Sequence, residues 1–171
     1  QIYYNVDTIH RAIALKCAVA FRYFEYCVEW GSPDHWSKEY RCGGKKHIAF
    51  PYALVWNDEN YYMTAYYKKY GGITNFRVDK MEGIEILSPD AFQKPEHLSF
   101  SPAEYSKKVF GMFSGDEQRV TLRFDNSLLG VVLDRFGKGV EIRRANGTNF
   151  LVSFDAIVGP TMLGWIFEFG S

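Results

Sequence analysis

The sequence predicts an α+β protein: a helix, then a small β-meander closed on itself, then a second and smaller α+β unit. Three observations predict this. The hydrophobic period is helical at the start and becomes two from Ala18 onward, as buried and exposed side chains alternate along strands. Turn signals at Asn57-Asp58-Glu59-Asn60 and Gly71-Gly72 cut that stretch into short strands. A stretch from Ser88 to Glu117 with Pro89, Pro95 and Pro102 then separates it from a new pattern, whose order strand–helix–strand–strand–helix is one strand short of a split βαβ, ferredoxin-like unit. The expected organisation is residues 5–88, a linker over 89–117, and residues 118–171 ending one strand early. A chain of 171 residues suffices for one ordinary domain or two small ones.

Val6 to Cys17 reads as the first helix, because Ile9, Ala12, Ile13 and Cys17 make one apolar stripe. Asn5 or Asp7 is the expected cap. Val19, Phe21 and Tyr23 then alternate with Ala20, Arg22 and Phe24, a strand to about Tyr26. Gly31 to Gly44 is polar and glycine-broken, and reads as a mobile loop. A strand from Lys46 to Trp56 contains Pro51, which cannot donate to a ladder and so marks an edge or a bend. Tyr61 to Tyr67, Ile73 to Asp79 and Gly83 to Leu87 complete a run of five strands. Closure into a barrel is the simplest way to remove their open edges. Ser101 and Ala103 to Phe113 suggest a capped short helix in the linker. Beyond it come a strand at Val120 to Phe124, a helix from Asn126 to Phe136 ended by Gly137, and strands Val140 to Arg144 and Asn149 to Phe154 around an Asn146-Gly147 turn. A helix over Thr161 to Phe169 closes the pattern.

Composition excludes several classes. Hydrophobic residues at 47% and charged residues at 23% describe a folded chain, not a disordered one. No apolar run approaches the ~18 residues of a membrane helix, and Gln1 to Asp7 lacks the basic and apolar regions of a signal peptide. A cytoplasmic protein is expected, and the absence of an initial Met suggests a portion of a longer one. Cys17, Cys27 and Cys42 show no CxxC pair and read as free thiols; a site from Cys27, Cys42, His35 and His47 fits no zinc spacing, so no metal is expected. The net charge of zero argues against a chain that coats DNA. Residues 38–80 nevertheless carry eight Lys/Arg against four Asp/Glu, and residues 81–118 three against seven. The first stretch either attracts an anion or is a solvated mixed surface.

No enzyme motif is present: there is no GxGxxG after a strand, no GxxxxGK[ST], no HExxH and no GxSxG. Glu82 and Glu85 fall on opposite faces of a regular strand, and His10 and His97 have no partner at catalytic spacing. No catalytic residue and no cofactor is assigned. The informative stretch is Lys45 to Met81, where basic and aromatic residues interleave. Alternation puts Tyr62, Thr64 and Tyr66 on one strand face and Tyr61, Met63, Ala65 and Tyr67 on the other. One face is core. The other is either more core or a tyrosine surface edged by His47, Arg77 and Lys80, with π-faces for bases and cations for phosphates.

The run Phe50-Pro51-Tyr52-Ala53-Leu54-Val55-Trp56, then Tyr61-Tyr62-Met63, then Phe76-Arg77-Val78-Asp79-Lys80-Met81, resembles a WYL domain. Tyr61-Tyr62-Met63 stands in place of the Trp-Tyr-Leu triplet that names the family. Val120-Thr121-Leu122-Arg123-Phe124, Leu133-Asp134-Arg135-Phe136-Gly137 and Gly164-Trp165-Ile166-Phe167-Glu168-Phe169-Gly170 resemble the C-terminal extension that follows many such domains. The resemblance implies an Sm-like, SH3-type barrel and an effector-sensing role in a bacterial DNA-binding transcriptional regulator. It implies an N-terminal helix-turn-helix domain that grips operator DNA, although no such helix pair precedes Tyr3. It also implies a homodimer, and a ligand that in some members is single-stranded nucleic acid. The residues it assigns to ligand binding are His47, Tyr52, Tyr62, Arg77 and Lys80. Arg77 lies where the family shows Arg-Leu/Val-Asp-Arg, suited to a bidentate phosphate contact; pairing with Asp79 on the same strand face is the competing expectation. Lys80 replaces a usual Arg, Thr74 a frequent basic residue, and Phe50 a frequent small one. A different reading of the same face is a protein-interaction or dimerisation surface with no nucleic-acid ligand.

Overall fold

The computed structural model describes residues 2–31, 33–92, 100–102, 105, 108–109, 112 and 115–169. They fall into two compact units, residues 1–100 and 101–171. The architecture is mixed α+β, with a curled antiparallel sheet in the first unit and a smaller sheet in the second.

In the first unit, helix α1 spans Ile2–Leu15 and buries Asn5, Ile9 and Ala12. It begins before Asn5, so neither Asn5 nor Asp7 is its cap. Asn5 is inside the helix, and its Nδ2 donates to the carbonyls of Val78 at 3.2 Å and Met81 at 2.9 Å. A buried polar side chain is thereby satisfied, and it ties the helix to a break between strands. The helix stops where Lys16 turns left-handed (φ 54) and the Cys17 N–H returns to Ala12 O at 2.9 Å.

Six strands follow: β1 Val19–Val28, β2 Trp36–Tyr40, β3 His47–Asn57, β4 Asn60–Tyr67, β5 Gly72–Arg77 and β6 Met81–Ile86. Their order is β2-β1-β3-β4-β5, and β6 also pairs with β1. Strand β2 corrects the expectation of a loop from Gly31 to Gly44. It lies antiparallel to β1 with Phe24 opposite Tyr40 and Val28 opposite Trp36. Five polar-flanked residues show no apolar run, and the pairing with β1 supplies what local periodicity does not. Strand β5 also ends earlier than expected, at Arg77, and Val78–Lys80 form a 3-10 turn.

Pro51 sits at the bend its chemistry requires: the β3–β4 register shifts between Pro51 and Ala53, which removes the need for its missing donor. The β3–β4 turn forms at Asp58 (φ 44) and Glu59 (φ 59), both left-handed as a two-residue hairpin turn demands. In β6, Met81, Ile84 and Ile86 all pack on the core, because Gly83 (φ 60) inserts an irregularity between Met81 and Ile84. The bulge puts Glu82 and Glu85 on the same outward side, correcting the opposite-face expectation.

Both sides of β4 are covered. Met63, Ala65 and Tyr67 join Ile9, Val19, Phe21, Phe76 and Met81 in the main core. Tyr66 joins Ala18 and Phe50 in a second cluster with Tyr52, Ile73, Leu87 and Phe92 packed against it. Thr64 is buried too and donates to Asn75 Oδ1 at 2.8 Å. The expected open tyrosine face is thus reduced to Tyr62. Burying a side chain the size of Phe21 or Met63 stabilises by about 1.5–3 kcal/mol.

In the second unit, β7 (Glu117–Asp125), α2 (Leu129–Phe136), β8 (Glu141–Arg144), β9 (Asn149–Ile157) and α3 (Pro160–Glu168) follow the expected order. The sheet order is β7-β9-β8. Gly137 (φ 82) ends α2, and Asn146 Oδ1 closes the β8–β9 hairpin by accepting from the N–H groups of Thr148 and Asn149, each at 2.8 Å. Phe124, Val132, Phe150, Val152, Phe154, Ala156 and Met162 form its core. Most of the helix expected over 103–113 lies outside the described residues; Tyr105 N to Ser101 O (2.9 Å) and Val109 N to Tyr105 O (3.2 Å) have helical spacing. No helix among the described residues is long and apolar enough to cross a membrane.

Candidate functional site: a cationic cluster around Tyr23

The first unit gathers three cations about one strand. Glu25 on β1 lies two residues beyond Tyr23, on the strand face that carries Val19 and Phe21 into the core. Its carboxylate accepts from Arg41 Nη2 at 2.5 Å and also binds Lys80 Nζ. The Arg41 guanidinium lies 5.2 Å from the centre of the Tyr23 ring, within cation–π range. On the other side, the backbone N–H of Arg77 donates to the Tyr23 hydroxyl at 3.2 Å. Burial pushes the Tyr23 phenol up to about 12, so it stays protonated through the physiological range.

Arg77 ends β5 opposite Tyr62 on β4. Its guanidinium donates to both carboxylate oxygens of Asp79, Nε to Oδ1 at 3.1 Å and Nη2 to Oδ2 at 2.8 Å, and Nη2 reaches Asn60 Oδ1 at 2.8 Å. The Asp79 hydrogen bonds raise its pKa further. The 3-10 turn at 78–80 makes this contact by folding Asp79 back on the strand end. The same turn points Lys80 toward Glu25, where its side chain is only 16% exposed. A cavity of about 360 Å³ opens beside Glu25 and Arg41, lined also by Glu39, Tyr40, Cys42 and Gly43. Its size is within the range of small-ligand sites.

Of the five residues expected to bind a ligand, the structure brings Tyr62, Arg77 and Lys80 to this cluster. His47 lies behind it in the core, 5% exposed. Its ring stacks on Phe21 (centroids 5.7 Å apart, 19° between planes) and meets the edge of Tyr23. Its Nδ1 shares a 2.8 Å hydrogen bond with the Tyr67 hydroxyl, and Nε2 is enclosed with no hydrogen-bond partner. Burial first, then Lys69 and Arg41, lower its pKa, so the neutral ring is favoured. Tyr52 belongs to the second cluster, beside Phe50 and Phe100, with its hydroxyl enclosed and unpartnered; burial raises its pKa.

Three residues of the cluster escaped the sequence reading: Tyr23, Glu25 and Arg41. Arg41 lay in the stretch read as loop. Glu25 carried a signal, because Val19, Phe21, Tyr23 and Glu25 alternate on one face and a carboxylate stands where the pattern asks for an apolar side chain. Two further cations of the basic stretch are also held: Lys38 by Glu82 at 2.7 Å and Lys46 by Glu85 at 2.6 Å. Arg41, Arg77 and Lys80 face two carboxylates, Glu25 and Asp79. Glu39, which lines the same cavity, brings the carboxylates to three, so the charges balance in number and an anion reaches these cations by displacing a carboxylate.

Comparison with known proteins gives three results. No curated protein matches the chain. Among solved structures, the proteasome accessory factor B/C (PafBC) of Arthrobacter aurescens aligns over 90% of this chain with 18% sequence identity and a TM-score of 0.38. The chain spans 21% of that protein's length. Residues 37–86, the segment that holds Arg41, Tyr62, Arg77 and Lys80, match the WYL domain family.

Proposed function

We propose that this chain is the effector-sensing region of a bacterial DNA-binding transcriptional regulator, with a regulatory role and no enzymatic one. The observation that carries the reading is the coincidence of the WYL match with the cationic cluster: residues 37–86 supply Arg41, Tyr62, Arg77 and Lys80. The return of β6 to β1 after a 3-10 turn supports an Sm-like, SH3-type barrel. In this reading the effector is single-stranded nucleic acid or a nucleotide. Its phosphate takes the place of Glu25 on Arg41 and Lys80, Arg77 adds a bidentate contact by exchanging Asp79 for the phosphate, and Tyr62 gives a face to a base. His47 supports Tyr23 from behind, and Tyr52 acts from the neighbouring cluster. Binding biases a helix-turn-helix domain elsewhere in a cytoplasmic, homodimeric regulator only if the effector prefers one of two arrangements.

Fluorescence anisotropy with labelled single-stranded and duplex DNA of one sequence, at two salt concentrations, tests this. The expected result is preferential binding of the single strand that falls steeply with salt and weakens about tenfold, or ~1.4 kcal/mol, in Arg77→Ala and in Lys80→Ala. Unchanged binding in both variants sinks the ligand step.

One observation favours a second reading, a protein-interaction or dimerisation module. Tyr26, Trp30 and Trp36, at the β1–β2 end, are 50%, 80% and 47% exposed, and aromatic anchors of this kind dominate protein interfaces. Weak salt dependence of DNA binding, together with dimer dissociation in Trp36→Ala, would favour it.

A further inference from the structure

The second unit contains a slot of about 610 Å³ lined by Lys108, Arg119, Phe136, the Gly137-Lys138-Gly139 loop and Val140, Glu141, Ser153, Phe154 and Asp155. It exists because β8 stops short. The β8–β9 ladder begins at Glu141 opposite Ser153, while β9 runs on to Ile157. The loop after α2 borders the space left beside Phe154 and Asp155. A Cβ at Gly137 or Gly139 would meet nothing within 4 Å, so the loop is not packed over at these positions. At its base, Phe136 and Phe154 stack with centroids 4.0 Å apart and 29° between planes.

The charges of the slot are unequally satisfied. Glu141 receives Arg119 at 2.6 Å and Arg143 at 2.9 Å, and Lys108 holds Glu117 at 2.7 Å. Among the described residues, Asp155 has only a 3.4 Å contact from the same Arg119. Lys138 is exposed and makes no ion pair among the described residues. One cation and one weakly held carboxylate are therefore left over, above an apolar base. A simple anion would meet Lys138 but also face Asp155, and a simple cation would face Lys138. A ligand carrying both charges on one carbon satisfies both, and an apolar substituent on that carbon then covers the phenylalanine pair.

We propose that this slot binds a free α-amino acid with a large apolar or aromatic side chain, its carboxylate on Lys138 and its ammonium on Asp155. Isothermal titration of the whole chain with L-phenylalanine, N-acetyl-L-phenylalanine and L-phenylalaninamide tests the proposal. The expected result is binding of L-phenylalanine, with each derivative at least about tenfold weaker because one charge is missing. Lys138→Glu and Asp155→Asn, both at exposed positions, are expected to weaken L-phenylalanine about tenfold with an unchanged circular-dichroism spectrum. Lys46→Ala, at an exposed ion pair in the other unit, leaves it unchanged. The proposal is overturned if L-phenylalanine gives no heat at millimolar concentration, if either derivative binds as tightly as the parent, or if both slot variants bind like the original chain.

Discussion

The two units differ in how the charges of their candidate sites are matched. In the first, Lys38, Arg41, Lys46, Arg77 and Lys80 each hold a carboxylate, and three of the four acids that serve them, Glu25, Glu82 and Glu85, lie outside the basic stretch 38–80. They come from β1 and β6, which antiparallel pairing lays beside the cations. In the second unit, Arg119 takes up Glu141 and leaves Lys138 and Asp155 incompletely matched in one slot. A run of like charge along a sequence is thus a poor guide by itself to a charged surface, since carboxylates answer five of the eight cations in this one. A mixed-charge segment can hold the less compensated site.

The comparison can be broken or sharpened by substitution. The largest effect is expected where the first unit's charges depend on its core. Phe21 is fully buried against His47, Phe76 and Tyr23, and Phe21→Ala should lower unfolding free energy by about 3–5 kcal/mol in chemical denaturation. A loss below ~1 kcal/mol would mean that the core repacks around the gap. Glu25→Gln comes next. It removes the anion shared by Arg41 and Lys80, and should cost about 1–3 kcal/mol through the largely buried Lys80. It should also steepen the log–log salt slope of oligonucleotide binding by about 1. A shallower slope would show that Glu25 orders the cations and does not mask them.

Two effects of pH follow. Hydrogen bonds from Lys38 and Tyr40 hold the Glu82 carboxyl below its ordinary value of 4.5. A folded pKa lowered in this way gives stability that is complete above 4.5 and is lost as pH falls toward the folded value. Thermal melts of Glu82→Gln should therefore depend less on pH below 4.5 than melts of the original chain. His47 is likewise lowered from 6.5, so it favours the fold above 6.5, and this contribution is lost as pH falls below it. NMR should find its ring mostly neutral at pH 6.5, and a ring mostly protonated there would contradict its burial. The smallest effect belongs to the exposed pair Lys46–Glu85, with side chains 46% and 61% exposed. Lys46→Ala should change stability by less than about 0.5 kcal/mol.

Much of the fold was legible in the residues. The helix stripe at Ile9 and Ala12, the alternation at Val19, Phe21 and Tyr23, the Asn57–Asn60 turn and the Asn146-Gly147 hairpin are local signals, and each element formed where its signal lies. Strand β2 was not legible, because Trp36–Tyr40 becomes a strand only by pairing with Phe24–Val28. The site divides along the same line. The 3-10 turn that swings Asp79 onto Arg77 and Lys80 toward Glu25 is invisible to a period-two reading, which continues the strand to Asp79. The burial of His47 and Tyr66 was missed because alternation assigns a residue to a face without saying what covers that face.

By itself the sequence determined which segments turn, which faces are apolar and that Arg77, Lys80 and Tyr62 lie close together along the chain, since these depend on neighbours a few residues apart. Tertiary structure alone decided that Glu25 joins Arg41 to Lys80, that the outer face of β4 is covered by residues near Phe92, and that the end of β8 leaves a slot beside Asp155. Those outcomes depend on contacts between residues tens of positions apart, and the pairing of strands in space chooses the partners of such residues.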